Sequence, residues 1–285
     1  SPVTLTNEEL VSKSVVYPKT IDVGNEINAS SIALGGLHTC AIFTNDTLNC
    51  WGKNEFGQLG DSTTSNHWYA QTTINLGYER YTLCIALGIV HSCAILDDKT
   101  LKCWGLNNVG QLGVFDITNR SSPTSVDSLG EDRYASSIAL GGYHTCAILD
   151  NESLKCWGHN AYGQVGNSAA IGFSIIPTAV NIQYNAVASS IALGYFHTCA
   201  IMYGSCSSKS ANAEGGATKE SCEFDEGGDA KRLRTNSVGC AVTCWGNNDT
   251  GQVGDSTKTN RSSPVATLKS IKVALGGEHS CALVM

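Results

Sequence analysis

The sequence predicts an all-β fold assembled from repeated units. The string HTCAI or HSCAI, a Cys-Trp-Gly tripeptide and a GQLG or GQVG segment return in the same order along the chain, and His38, His91, His144 and His197 lie 53 residues apart. The apolar stretches between them are about five to seven residues long, rich in Ile, Leu and Val, and are separated by Gly, Asn and Asp. They lack the 3.6-residue period of a helix, so each unit is predicted to be a series of short strands.

The middle of each unit is predicted to be an antiparallel hairpin. In the third unit the segment SSIAL leads through Gly-Gly into HTCAILD, the polar DNES turns the chain, and LKCWG returns. Each unit buries its apolar face only against its neighbours, so residues 1–285 are predicted to form one domain. Its repeats span approximately 17–66, 67–119, 120–173, 174–260 and 261–285, which gives four complete units and a partial fifth.

Paired cysteines recur in these hairpins. Folding the first hairpin about its turn places Cys40 opposite Cys50 and Ile42 opposite Leu48, close enough for a disulfide. The same register predicts four disulfides, which are Cys40–Cys50, Cys93–Cys103, Cys146–Cys156 and Cys199–Cys244. Two alternatives are buried reduced thiols and a metal held by a histidine and two cysteines. No fourth ligand recurs and the spacing differs from that of structural zinc sites, so disulfides are favoured and no metal site is predicted.

The fourth unit carries an insertion at residues 204–240, between Cys199 and Cys244. A loop rich in Gly, Ser, Lys and Glu has little core of its own, so an additional disulfide within it is predicted. Its candidate cysteines are Cys206, Cys222 and Cys240. Cys84 replaces a serine of the other units, and its disulfide partner cannot be named from the sequence. Cys281 lacks its expected partner because the fifth unit stops before the returning strand.

The other recurring residues are interpreted as structural. Each recurring histidine is predicted to form a hydrogen bond within its own unit and to brace the turn. The tryptophans are predicted to be packing anchors, and the Asn and Gly residues after them to be turn residues that tolerate positive φ. Trp68 and Tyr69 do not recur and are therefore candidates for a surface contact. Equivalent copies of one constellation do not converge on one pocket, and no catalytic or cofactor-binding residues are predicted.

Composition restricts the partners. Formal net charge is −7, charged residues make up 15%, and the one dense basic cluster is Lys231, Arg232 and Arg234, which disfavours nucleic acid as a partner. No apolar run approaches the roughly 18 residues of a membrane span, so no membrane insertion is expected. The segment SPVTLTNEEL lacks signal-peptide features, so any leader is expected to have been removed. Sequons on predicted turns make six glycosylation candidates, Asn28, Asn45, Asn119, Asn151, Asn248 and Asn260.

The unit LGGxHTCAI, a hairpin, CWGxNxxGQLG and a tail leading to SSP closely resembles the regulator of chromosome condensation repeat. The resemblance runs from about Tyr17 to Met285, apart from the insertion. It implies a β-propeller whose blades, commonly seven, are four-stranded antiparallel sheets. Either a small propeller closes with a strand from residues 1–23, or the chain is part of a longer protein. The family includes a nuclear exchange factor for a small GTPase, and a similar bacterial fold inhibits β-lactamases.

Repetition without a catalytic constellation, combined with hairpin disulfides, predicts a non-enzymatic protein of the extracellular space or cell surface. Its predicted role is a scaffold for interaction with a protein or glycan partner. One alternative is the subunit of an extracellular filament or sheath built from copies of the chain, since contacts that do not close on themselves propagate. A second is guanine-nucleotide exchange, which only the family resemblance suggests.

Overall fold

The computed structural model describes residues 28–70, 73–169, 172–182, 186–203, 241–268 and 272–283. In these residues all regular secondary structure is β-strand, as predicted. In chain order they are β1 (Ala29–Leu34), β2 (His38–Phe43), β3 (Leu48–Gly52), β4 (Thr82–Leu87), β5 (His91–Leu96), β6 (Leu101–Gly105), β7 (Arg120–Ser125), β8 (Ala135–Leu140), β9 (His144–Leu149), β10 (Leu154–His159), β11 (Phe173–Ala179), β12 (Val187–Leu193), β13 (His197–Tyr203), β14 (Ala241–Gly246), β15 (Arg261–Leu268), β16 (Lys272–Leu275) and β17 (Ser280–Leu283). The predicted insertion with Cys206, Cys222 and Cys240, and the predicted closing strand in residues 1–23, lie outside the described residues.

The strands form antiparallel sheets that follow one another as propeller blades. Blade 1 is β1-β2-β3, blade 2 is β4 to β7, blade 3 is β8 to β11, blade 4 is β12 to β15, and the partial blade 5 is β16-β17. In blade 1, single bridges from Gly52 to His67 and from Asn49 to Thr73 lie where the other blades have a fourth strand. The first strand of each blade packs against the first strand of the next, from β1 through β4, β8 and β12 to β16. The sheets described here do not close, and they form part of a propeller.

The hairpin register is the one predicted. Cys40 is paired with Cys50 and Ile42 with Leu48, and β5-β6 and β9-β10 repeat this pairing. In blade 4, β13 and β14 keep it across the insertion, with Cys199 opposite Cys244. The register therefore depends on the strand sequences and not on the length of the connection between them.

The core lies between blades. Trp104 of blade 2 packs with Ile42, Leu48 and Leu59 of blade 1, and Trp157 of blade 3 packs in the same way on blade 2. The indole Nε1–H of Trp104 donates to the carbonyl of Gln58 at 3.0 Å. Gly60 lies directly over this ring, and a Cβ there would be 2.6 Å from Nε1, so only glycine fits. The recurring GQLG segment is thus the surface against which the next blade packs.

One face of blade 1 has no neighbour among the described residues. Ile32 and Leu34 of β1 are 57% and 73% exposed, whereas the equivalent Ile85 and Leu87 of β4 are 5% and 9% exposed. Trp51, in the tryptophan position of this blade, is only partly buried. Blade 1 therefore presents an uncovered copy of the surface that is buried at the following blade junctions.

Candidate interaction face

The hairpin between the second and third strands of each of blades 1 to 4 is closed by the predicted disulfide. Cys40–Cys50, Cys93–Cys103, Cys146–Cys156 and Cys199–Cys244 are bonded, each with a Cα–Cα distance of 4.1 Å. By loop-closure entropy, a crosslink between residues ten apart contributes about 2.5 to 3 kcal/mol to the free energy of unfolding, and the blade 4 crosslink about 4 kcal/mol. Cys84 is also disulfide-bonded, whereas the Cys281 thiol is free and exposed.

The prediction that each recurring histidine bonds within its own unit is wrong, because each ring reaches the next blade. Nε2 of His38 lies 2.8 Å from the Ser92 hydroxyl, which itself donates to the carbonyl of Gln58 at 2.8 Å. His91 pairs in the same way with Thr145 at 3.0 Å. Since a hydroxyl has one proton and gives it to the carbonyl, Nε2–H of the histidine must donate to the hydroxyl oxygen. The pattern continues in His144 with Thr198 and His197 with Ser280.

Burial keeps these histidines neutral. It lowers the pKa of His38 and of His197 to about 4 and that of His91 to about 3, and the preceding histidine, His38, contributes to the shift in His91. The pKa of His144 is lowered well below its usual value for the same reason. Each of these buried neutral imidazoles joins its blade to the next through a fixed hydrogen bond. Protonating the ring would therefore lower the free energy of unfolding.

The recurring asparagines after the tryptophans are buried loop organisers, which corrects their interpretation as turn residues with positive φ. Oδ1 of Asn54 accepts from the backbone N–H of Leu59 at 2.9 Å, and Nδ2 donates to Asp61 and Thr63. Asn107, Asn160 and Asn248 hold their loops in the same way. The glycines of these loops do have positive φ, as predicted.

This arrangement overturns one glycosylation candidate. Asn248 is fully buried, and its Nδ2, the atom that a glycan would modify, donates to Asp255 and Thr257. A glycan at Asn248 would require this loop to open. The other candidate sites are exposed, and they are Asn28, Asn45, Asn119, Asn151 and Asn260.

Comparison of the repeats with one another locates a variable face, which the sequence analysis missed. The residue before each recurring histidine is Leu37, Val90, Tyr143, Phe196 or Glu278. The residue after each Trp-Gly is Lys53, Leu106, His159 or Asn247. Backbone hydrogen bonds from Lys53 to Leu37 and from His159 to Tyr143, each 2.9 Å, place these two sets side by side. We call this end of the blades, formed by the turns after the first strands and the loops after the third strands, the loop face.

An aromatic cluster lies on the loop face of blades 3 and 4. The Phe196 ring is at its centre, stacked on Tyr143 at 6.0 Å between ring centroids, with Tyr195 at 4.8 Å and Tyr162 at 5.2 Å. The His159 ring joins them at 5.4 Å from Phe196. Burial and the neighbouring Tyr195 hydroxyl raise the pKa of Tyr143, so its hydroxyl is neutral at physiological pH. These rings form a continuous aromatic surface at one end of the propeller.

Glycines on both sides keep the cluster open. A Cβ at Gly142 would lie 3.0 Å from Cδ1 of Tyr195 and 2.7 Å from its carbonyl oxygen, and Gly277 lies on the other side of the same ring. Tyr195 remains 37% exposed. The aromatic surface is therefore exposed because bulky residues alternate with glycines in the turns that follow the first strands.

Trp68 and Tyr69, predicted as surface contacts, are exposed by 80% and 58%. They follow His67, whose backbone bridges to Gly52, and no aromatic contact joins them to the cluster. At the junction of blades 4 and 5, a cavity of about 230 Å³ is lined by Thr250, Gln252, Glu278 and His279 among others.

Two further observations concern the described ranges only. No set of three or more His, Cys, Asp or Glu side chains in them is arranged to hold a metal ion. Nor does this part of the chain contain a helix with the length and apolarity needed to cross a bilayer.

The chain is similar to several characterised proteins along part of their length. It is 30% identical over 190 residues to the ultraviolet-B receptor UVR8 of Arabidopsis thaliana, an alignment that covers 67% of this chain and 42% of the receptor. It is 28% identical over 185 residues to the probable E3 ubiquitin-protein ligase HERC4 of Homo sapiens, covering 65% of this chain and 17% of the ligase. The chain thus matches less than half of each relative.

Solved structures show the same fold at lower sequence identity. Human WBSCR16 superposes with a TM-score of 0.58 at 18% identity, over 91% of this chain and 73% of that one. The ectodomain of the Physcomitrella patens receptor kinase CR4 superposes with a TM-score of 0.50 at 17% identity, over 95% of this chain and 51% of that one.

The repeat itself is recognised directly. Sequence models of the regulator of chromosome condensation (RCC1) repeat match residues 29–58, 84–111 and 135–164 in one form, and 103–148 and 241–283 in another. Together these matches cover more than half of the chain, and they coincide with the blades described above. The chain belongs to the RCC1 repeat family of β-propeller proteins.

Proposed function

We propose that this chain is a non-enzymatic interaction module of the extracellular space or cell surface, and that its loop face binds a protein partner. The observation that carries the proposal is internal to the chain. The repeats keep the histidine, tryptophan and glutamine that join the blades and the cysteines that close each hairpin, and they differ at the loop-face positions. Where a repeated scaffold presents one specific binding surface, we expect the residues that hold the fold to be the same in every unit. The residues that contact the partner are expected to differ between units.

The proposed location rests on the disulfides. Four buried crosslinks within hairpins would be reduced only slowly, and such crosslinks persist in oxidising compartments. The five exposed sequons are compatible with the secretory route. A receptor ectodomain shares the fold, although identity of 17% supports the fold alone. Exposed tyrosines also stack on sugars, so a glycan is the alternative partner of this face.

A second candidate function is assembly into a filament or sheath. The uncovered face of blade 1, with Ile32 and Leu34 exposed, favours it, because an apolar surface of this kind is buried at the later blade junctions. Native mass measurement separates the two functions: a monomer at micromolar concentration supports the interaction module, and open-ended polymers support the filament. Nucleotide exchange on a GTPase rests on family membership alone.

The proposal predicts that crosslinks to a partner form from the loop face. A photoreactive phenylalanine analogue at Tyr195 is expected to link to a discrete extracellular protein of the source organism. The same analogue at Tyr78, an 86% exposed tyrosine outside the loop face, is the matched control and should give no such product. Equal labelling from both positions, or labelling from Tyr78 alone, would refute the loop face as the binding surface.

A further inference from the structure

We infer that the aromatic cluster of the loop face, together with Glu278 and Asp249, binds a positively charged Lys or Arg side chain of the protein partner. This inference deepens the proposed function and rests on it, because it specifies what the loop face recognises.

The rings provide one half of the site. Phe196 lies within 4.8 to 6.0 Å of three tyrosine rings, measured between centroids, and Tyr195 is partly exposed. An ammonium or guanidinium group within about 6 Å of an aromatic centroid is attracted by the negative face of the ring. Several rings inclined to one another offer such faces from more than one direction.

Two carboxylates provide the other half. Glu278 is the residue before the recurring histidine in blade 5, the position that Phe196 occupies in blade 4. The adjoining Gly277 accepts, through its carbonyl, the backbone N–H of Tyr195 at 3.0 Å. Asp249 lies in the loop that begins at Asn247, whose N–H donates to the carbonyl of Phe196 at 2.8 Å. Both acids are exposed, and these two backbone hydrogen bonds place their segments next to Tyr195 and Phe196.

No Lys or Arg side chain neutralises these acids within the same turns and loops. Residues 141–144, 158–165, 194–197, 246–253 and 276–279 contain no Lys or Arg. Burial lowers the pKa of His159, so this ring carries no charge at neutral pH. Blade 1 differs, because its loop carries Lys53 paired with Glu55 at 3.1 Å. Among the described residues, the combination of clustered rings with acids that have no Lys or Arg in the same loops is therefore found in blades 3 to 5.

The charges distinguish between possible partners. An acidic or phosphorylated group would be repelled by Glu278 and Asp249. A purely apolar partner would remove water from the same carboxylates without providing an opposite charge, and this would weaken binding. A basic side chain satisfies both halves of the site, with its aliphatic stem on the tyrosines and its charged end at the carboxylates.

A displayed random heptapeptide library tests the inference on the intact chain. Peptides are selected for binding to the wild-type protein, and those that also bind the Tyr195→Ala variant are removed. The remaining peptides are expected to be enriched in Lys or Arg. In a selected peptide, replacing Lys by norleucine or Arg by citrulline is expected to weaken binding about tenfold. Glu278→Gln should also weaken it, whereas Glu131→Gln, at an exposed acid outside these loops, should leave it unchanged.

The possible failures differ. Peptides that need Tyr195 but contain no basic residue, or that tolerate norleucine and citrulline, would overturn the inference and leave the loop face as a binding surface. Glycans that bind in place of peptides and are lost in Tyr195→Ala would overturn it in the same way. If no ligand depends on Tyr195 while the photoreactive variant at Tyr195 gives no partner, both the inference and the proposed function fail.

Discussion

Lowering the pH from 7 to 5 is expected to reduce the free energy of unfolding by about 2 kcal/mol for each of His38, His91 and His197. Their folded pKa values of about 4, 3 and 4 lie below the usual 6.5, so the unfolded chain binds more protons between these limits. Their stabilising contribution is complete above about pH 6.5 and is lost as the pH falls towards 4. Urea unfolding at pH 7, 6 and 5 measures the slope.

A variant separates these histidines from other titrating groups. His91→Gln keeps an amide that can donate to the Thr145 hydroxyl but cannot become charged. It is expected to be less stable than wild type at pH 7, because packing at a fully buried site is disturbed, and to lose about 2 kcal/mol less between pH 7 and pH 5. Equal pH slopes for the two proteins would show that the buried ring does not govern acid stability.

Trp157→Ala is expected to reduce the free energy of unfolding by about 3 to 5 kcal/mol. The indole is fully buried between blades 2 and 3 and donates to the carbonyl of Gln111 at 3.0 Å. Removing it leaves a cavity beneath Gly113, which has no side chain to fill the space. It also leaves the carbonyl of Gln111 with one hydrogen-bond donor fewer. Chemical denaturation at pH 7 gives the loss directly.

The chain supplies a matched control for this substitution. Trp51 has the same position in blade 1, but it is only partly buried and no preceding blade covers it among the described residues. Trp51→Ala is therefore expected to cost less than half as much as Trp157→Ala. Equal losses would mean that the tryptophans stabilise their own sheets and do not stabilise the junctions between blades.

Much of the fold follows from the sequence because strand alternation and a fixed cysteine spacing determine local register. The pairing of Cys146 with Cys156 needs only the ten-residue interval and a turn between them. Contacts between units are different. His91 bonds to Thr145, 54 residues later, and nothing local shows whether a recurring side chain contacts its own unit or the next. The same is true of Asn54, because a polar residue beside a tight turn also fits an exposed turn position.

Only part of the loop face can be predicted from the sequence. Differences between the repeats at Tyr143, Phe196 and Glu278 are visible by aligning the units with one another. That these positions lie near Tyr162 and Asp249 depends on the antiparallel return of each third strand and on the packing of blade 3 against blade 4, which bring residues far apart in the chain to one end of the blades. Trp68 stands out in the sequence because it does not recur, whereas the aromatic cluster is formed by residues at recurring positions.

The disulfides are central to the account, since both the proposed location and the rigidity of the blades depend on them. Non-reducing peptide mapping of the native protein, alkylated before digestion, tests them most directly. We expect linked peptides for Cys40–Cys50, Cys93–Cys103, Cys146–Cys156 and Cys199–Cys244, and an alkylated thiol at Cys281. Alkylation of the eight hairpin cysteines in untreated material would contradict it.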